Sequence, residues 1–236
     1  MLICAEDACA EMKHRDRTKI EGPALWLPAT VVSTQIDQSV SDQEIVQCEI
    51  LGTKISGVSR CIGSLVSSID AAQGRAEIRC VLEGTIESAN TGTNGPAKIK
   101  SKTTTSFTAV KIVQFDGFQL TASPVELGTK TTLTITDVDT HLEGTKGVLV
   151  KRIAMVRAET TKEEVRTVVE EMTKKRLSEK IELEFEKQLS RANLALKVCH
   201  HCLERIGNRE LRISTRQRDK ANLEVGIALA RRANLP

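Results

Sequence analysis

Tyrosine is absent from these 236 residues, tryptophan occurs once and phenylalanine four times. Rings stack on nucleic-acid bases and wall most small-molecule pockets, so a base-stacking platform and a ring-lined site are both disfavoured. The core must come from Val, Ile, Leu, Ala and threonine methyls. Charge of one sign is lacking as well. The net charge is +3, with acids and bases mixed along most of the chain, which leaves no long-range field for DNA, RNA or an anionic membrane. Only the C-terminal end leans basic, through Arg205, Arg209, Arg212 and Arg216 among others, and it reads as a solvated face.

Long hydrophobic runs are missing too. None approaches the ~18 residues that cross a bilayer as a helix, so no integral membrane segment is expected. The start, "MLICAEDACAEMKHRDR", has only a short apolar patch before charge intervenes, too little for a signal-peptide core. The expected compartment is cytoplasmic by default, and the envelope or export if the amino end is truncated. The seven cysteines, at 4, 9, 48, 61, 80, 199 and 202, are odd in number and widely spread, which excludes a disulfide-stapled scaffold. There is no nucleophile elbow, phosphate loop or dinucleotide fingerprint, and so no enzyme class is announced by motif.

What is present is alternation. In "RAEIRCVLEGTIES", Ala76, Ile78, Cys80, Leu82, Gly84 and Ile86 fall on one face while Glu77, Arg79, Glu83 and Glu87 fall on the other. Successive side chains of an extended chain point to opposite faces, so this is a half-buried strand. Similar stretches occur at "EIVQCEILGTKISG", "AKIKSKTTTSFTAVKIVQF", "GFQLTAS" and "TKTTLTITDVDTHLEG". Turn signals separate them at Asn90-Thr91-Gly92, Asn94-Gly95-Pro96, Asp116-Gly117 and Glu126-Leu127-Gly128. Hairpin-linked strands with one apolar and one charged face predict an antiparallel meander, and the threonine runs suit a pleated surface.

At Thr160 the period becomes helical. Thr161 with Glu164 three residues on reads as a capping box, which satisfies orphan N–H groups at a helix start. Val165, Val169 and Met172, then Leu177, Ile181, Phe185, Leu189 and onward to Ile206, form an apolar stripe that Gly207-Asn208 closes. The five-residue step from Met172 to Leu177 predicts a kink or break between Lys174 and Ser178. Beyond it, "ELRISTRQ" and "NLEVGIALA" alternate again as two further strands.

The densest chemistry is Cys199-His200-His201-Cys202. Cys199 and Cys202, three apart on a helix, could share a metal with His200, His201 or the distant Cys4, Cys9 and His14. A thioredoxin-type pair opens a helix, where the dipole lowers the thiol pKa, whereas this one closes it. Cys199 continues the apolar stripe, so burial as a small hydrophobe is the leading expectation and no cofactor is expected. Asp137, Asp139 and His141 in "TDVDTHLEG" lack calcium-loop spacing and read as exposed edge charges.

The segment from about residue 52 to 118, including "GVSRCIGSL" and "LEGTIESANTGTNGPAKIKSKTTTSFTAVKIVQFDGF", resembles a family of uncharacterised β-rich proteins from planctomycete bacteria. The shared pattern runs from an S-x-T-x-G turn through G-P-A to an F-x-A-x-K strand and an F-D-x-x-G turn. Gly95-Pro96-Ala97, Phe107 to Lys111 and Phe115-Asp116 fit it. Ser88 to Gly92 has one residue too many, and Gly117 comes early. The resemblance implies a β-rich fold and export, and brings no catalytic residues.

The expected fold is α+β: an antiparallel, long curved sheet packed with one long amphipathic helix, plus two C-terminal strands. Its expected parts are an irregular segment at 1–27, the sheet at 28–150, the helix at 158–207, and a hairpin at 209–236 that returns to the sheet or starts a second β unit. Burying sheet and helix on each other is the simplest way to hide both apolar faces. The leading functional expectation is a non-catalytic structural or binding module, with a protein partner or self-association through the helix. The second is a carrier of an apolar ligand in a groove between sheet and helix. The third is a metal-binding protein or enzyme using Cys199, His200, His201 and Cys202.

Overall fold

The structure, a computed structural model, describes residues 24–34, 36–72, 75–115, 118–207, 209–217 and 223–231. Strand β1 (Ala24–Pro28) leads into a short helix α1 (Ala29–Ser33) and then four long strands: β2 (Gln38–Ile50), β3 (Thr53–Ala72), β4 (Arg75–Asn94) and β5 (Ala97–Phe115). The short β6 (Leu120–Ala122) and β7 (Glu126–Thr140) follow. A single helix α2 (Gly144–Gly207) precedes β8 (Arg209–Gln217) and β9 (Leu223–Arg231).

Strands β2 to β5 pair consecutively and antiparallel, and the outer edge of β5 holds both β7, along Ala97 to Val110, and β6, along Val113 to Phe115. The sheet curves into a half-barrel around α2, the α+β architecture that the two periodicities predict. Two-residue turns set the register. Leu51 and Gly52 both have positive φ, 48° and 72°, between paired Ile50 and Thr53. That is the backbone twist a tight hairpin needs, and a glycine meets it without strain. Gly95, at φ 56°, does the same between Asn94 and Ala97.

The concave face carries the core. Leu65, Cys80, Phe107, Ala109, Val113 and Leu133 are buried there, with Ile181 from the helix. Phe107 needs room that the sequence supplies by omission. Gly84 pairs with Phe107 on one side and with Gly63 on the other. A methyl group at Gly84 would sit 2.7 Å from Phe107 Cζ and 2.9 Å from Gly63 Cα. Those glycines are the floor on which the ring lies.

Several expectations are corrected. The helix begins at Gly144, not near Thr160. The supposed capping residue Thr161 lies inside it, its hydroxyl donating to the Arg157 carbonyl one turn back. The Val148 to Val156 stretch mixes β-branched residues with charge, so its local pattern fits either period. No break occurs at 174–178: α2 is one element of 64 residues, about 96 Å long at ~1.5 Å per residue. Asn90-Thr91-Gly92 and Glu126-Leu127-Gly128 are not turns but lie within β4 and β7: β3 and β5 capture the first from both sides, and β5 captures the second along one edge. The 116–117 signal and the segment before residue 24 lie outside the described residues. Of the two alternatives for the terminal hairpin, a second β unit is the one found: β9 pairs with β1 and β8 in a separate three-stranded sheet, so β1, expected in an irregular segment, belongs there as well. No helix among the described residues is long and apolar enough to cross a membrane.

Candidate functional site

Helix and concave face do not close completely on each other. Two cavities run between them along the helix axis. The first, about 360 Å³, lies between Val150, Ala154, Ala158 and Val165 of α2 and Ile99, Leu133 and Ile135 of the sheet. The second, about 340 Å³, lies between Val169, Met172 and Leu177 of α2 and Val46, Leu82 and Ile86 of the sheet. They adjoin at Ile50 and Ile55, which line both. Each falls within the lower range of ligand sites.

The local sequence explains the gap. Three- and four-residue steps along α2 put Val150, Ala154, Ala158 and Val165 on one stripe. Two of these are alanines, too short to reach the sheet. Facing the helix, inward β positions carry small side chains: Gly92 and Ala97 at the first cavity, Ser59 and Ser88 at the second. A chain poor in rings has little with which to fill the space.

Polar braces hold the helix off the sheet at a fixed height. Lys111 of β5, its side chain only 5% exposed, donates to Glu182 Oε2 of α2 at 2.5 Å. The other oxygen of Glu182 accepts the Val125 N–H at 2.6 Å. Hydrogen bonding to the Lys111 ammonium is the main cause that holds the Glu182 carboxyl below its usual range. Asn193 clasps the backbone of β6, accepting from Leu120 N–H at 2.6 Å and donating to its carbonyl at 2.9 Å. These contacts satisfy an edge that would otherwise expose unpaired backbone.

At the opposite edge, Lys180 of α2 reaches Asp42 and Glu44 on β2. The three side chains also line the second cavity, so the ion pairs bridge its rim. The hydrogen bonds that the Lys180 ammonium donates to the two carboxylates push it up to about 12, and the same contact lowers Asp42. Deeper in, Thr105 and Thr131 share a buried hydroxyl–hydroxyl bond of 2.9 Å, and Ser88 donates to Ser59 at 3.0 Å. Asn90 Oδ1 is buried at the second cavity without a hydrogen-bond partner among the described residues.

The sequence-derived quartet takes another form. Cys199, His201 and Cys202 are exposed near the end of α2, while His200 turns inward against Phe118, ring centroids 5.5 Å apart. Successive positions on a helix are rotated by about 100°, which spreads the four around the axis. Cys199 is therefore exposed, against the expectation of burial. Among the described residues no three His, Cys, Asp or Glu side chains gather as a metal site; Cys4, Cys9 and His14 lie outside them. Burial raises the thiols of Cys61 and Cys80, which favours their inert protonated form. Asp137 pairs with Lys100 at 3.2 Å, while Asp139 and His141 are exposed.

Sequence reading missed Lys111, Glu182, Asn193 and the Lys180 cluster. The one available signal was Lys111, a charge on the apolar side of the β5 alternation. No protein-family model matches the chain, nor does any curated protein or solved structure show significant similarity to it.

Proposed function

We propose that the protein is a non-catalytic binding module that carries an apolar ligand between its curved sheet and α2. The observation that carries this reading is the pair of adjoining cavities walled by Ile, Val, Leu and Ala, which share Ile50 and Ile55. A filled interface would have favoured a purely structural role. From Val150 to Phe185 the lined stretch of helix spans about 52 Å at ~1.5 Å per residue, so the space is long and narrow. That shape suits an extended hydrocarbon chain better than a compact ring system.

The test is a titration of purified protein with a fluorescent long-chain fatty acid, beside solvent extraction and mass spectrometry of whatever co-purifies. Saturable binding near one equivalent is expected. Ile55→Trp, which places a ring where the cavities meet, should weaken binding at least tenfold while the folded circular-dichroism signal persists. A folded protein that neither takes up the probe nor releases an apolar compound would overturn the reading.

A further inference from the structure

We propose that the first turns of α2, residues 144–158, dock the protein on an anionic lipid surface, whatever the groove contains. The inner side of this segment is accounted for: Val150, Ala154 and Ala158 face the sheet and line the first cavity. At 3.6 residues per turn, Val148, Leu149, Met155 and Val156 fall within about a third of the circumference on the opposite side. They are 71%, 59%, 43% and 61% exposed. Single exposed apolar side chains are ordinary, but four on one short helical face form a patch.

The charge on the same stretch selects the partner. Residues 144–158 contain Lys146, Lys151, Arg152 and Arg157 and no acid, whereas from Glu159 onward acids and bases alternate. Arg152 lies within the apolar face, Lys151 on one flank and Lys146 on the other, while Arg157 falls beside Val150 and lines the first cavity. An apolar stripe bordered by cations with long aliphatic stems is the form of a helix lying in a membrane interface, its charges snorkelling towards phosphates. A second copy of this chain would set three cations against three, which disfavours self-association through this face. The near-neutral total charge conceals the patch because the balancing acids lie elsewhere. Docking here would bring the wall of the first cavity against the bilayer.

Co-sedimentation of the full chain with vesicles tests the proposal. Binding is expected with equal parts phosphatidylglycerol and phosphatidylcholine, weak binding with phosphatidylcholine alone, and a decline as salt rises. Val148→Asp with Val156→Asp, and separately Lys151→Glu with Arg152→Glu, should each reduce partitioning at least tenfold without changing the melting temperature, because these side chains are exposed. Ile55→Trp should still bind vesicles, so loss of the groove and loss of docking are read apart. Failure of the wild-type chain to bind anionic vesicles, or undiminished binding by either double variant, would overturn the proposal. So would a dimer in solution that Val148→Asp with Val156→Asp dissolves, since the patch would then belong to a second copy.

Discussion

Lys111 and Glu182, separated by 71 positions in sequence, meet across the sheet–helix interface with the ammonium almost fully buried and the carboxylate 43% exposed. The ammonium also stands 5.5 Å from the centre of the Phe185 ring. The pair fixes where the helix crosses β5, and its asymmetric burial decides which partner can be lost.

Removal of the carboxylate strands a buried cation, while removal of the cation leaves a carboxylate that still accepts from Val125 and reaches water. Glu182→Ala should therefore destabilise the fold by about 2 to 3 kcal/mol, and Lys111→Met, similar in length and apolar, by about 1 kcal/mol or less. Urea denaturation of both single variants and the double variant checks the ordering. Equal losses would contradict the asymmetry.

Glu182 and Asp42 both have folded pKa values below their ordinary ones, caused first by Lys111 and by Lys180. Their stabilisation is thus present above the unfolded values of 4.5 and 3.8 and is lost as pH falls through the lower folded values. Lys180 has the opposite sign: its contribution is complete below 10.5 and is lost as pH rises through about 12. Urea midpoints should be flat from about pH 5 to 9, above which the thiols of Cys61 and Cys80, raised by burial, add to the alkaline loss, and fall on both sides, the acid limb becoming shallower in Glu182→Gln. Exposure of Lys180, Asp42 and Glu44 keeps their share small, so added salt should flatten the alkaline limb more than the acid one.

Thr105 and Thr131 are both buried and satisfy each other. Thr105→Val orphans the Thr131 hydroxyl and should cost about 1 to 3 kcal/mol. Thr105→Val with Thr131→Val replaces both hydroxyls by methyls of the same shape and should recover most of the loss. A double variant as weak as the sum of its singles would show that the hydroxyls have other partners.

Gly84→Val would drive a branched side chain into Phe107 and the backbone of Gly63. The expected loss is about 2 to 3 kcal/mol by thermal melting, although valine is the better strand former. Trimming the ring as well, in Gly84→Val with Phe107→Leu, should return part of it. A stabilised Gly84→Val would mean that the sheet floor can shift.

Much of the architecture was legible because it is written locally. Alternation in Ala76 to Ile86 fixed a strand and its inner face, and Asn94-Gly95-Pro96 fixed a hairpin. The run from Val165 to Ile206 fixed a helix with one apolar side. Where local signals conflicted, reading failed. Asn90-Thr91-Gly92 has turn composition yet pairs on both sides, and Val148 to Val156 carries no decisive period, so the helix start was placed too late. The candidate site was less legible still. Cys199, His200, His201 and Cys202 drew attention by proximity in sequence, but the helical rotation disperses them.

Chain chemistry alone determined that there would be a ring-poor sheet, one greasy helical stripe and no dense charge field on average, since side-chain periodicity and composition are properties of neighbours. Only the folded chain decided that the helix stands off the sheet over two cavities, that Lys111 meets Glu182, and that the cationic turns at 144–158 keep an apolar face in water. Those facts depend on register between distant strands and on which way a helix is turned, and both are set by how the whole core packs rather than by any short stretch of residues.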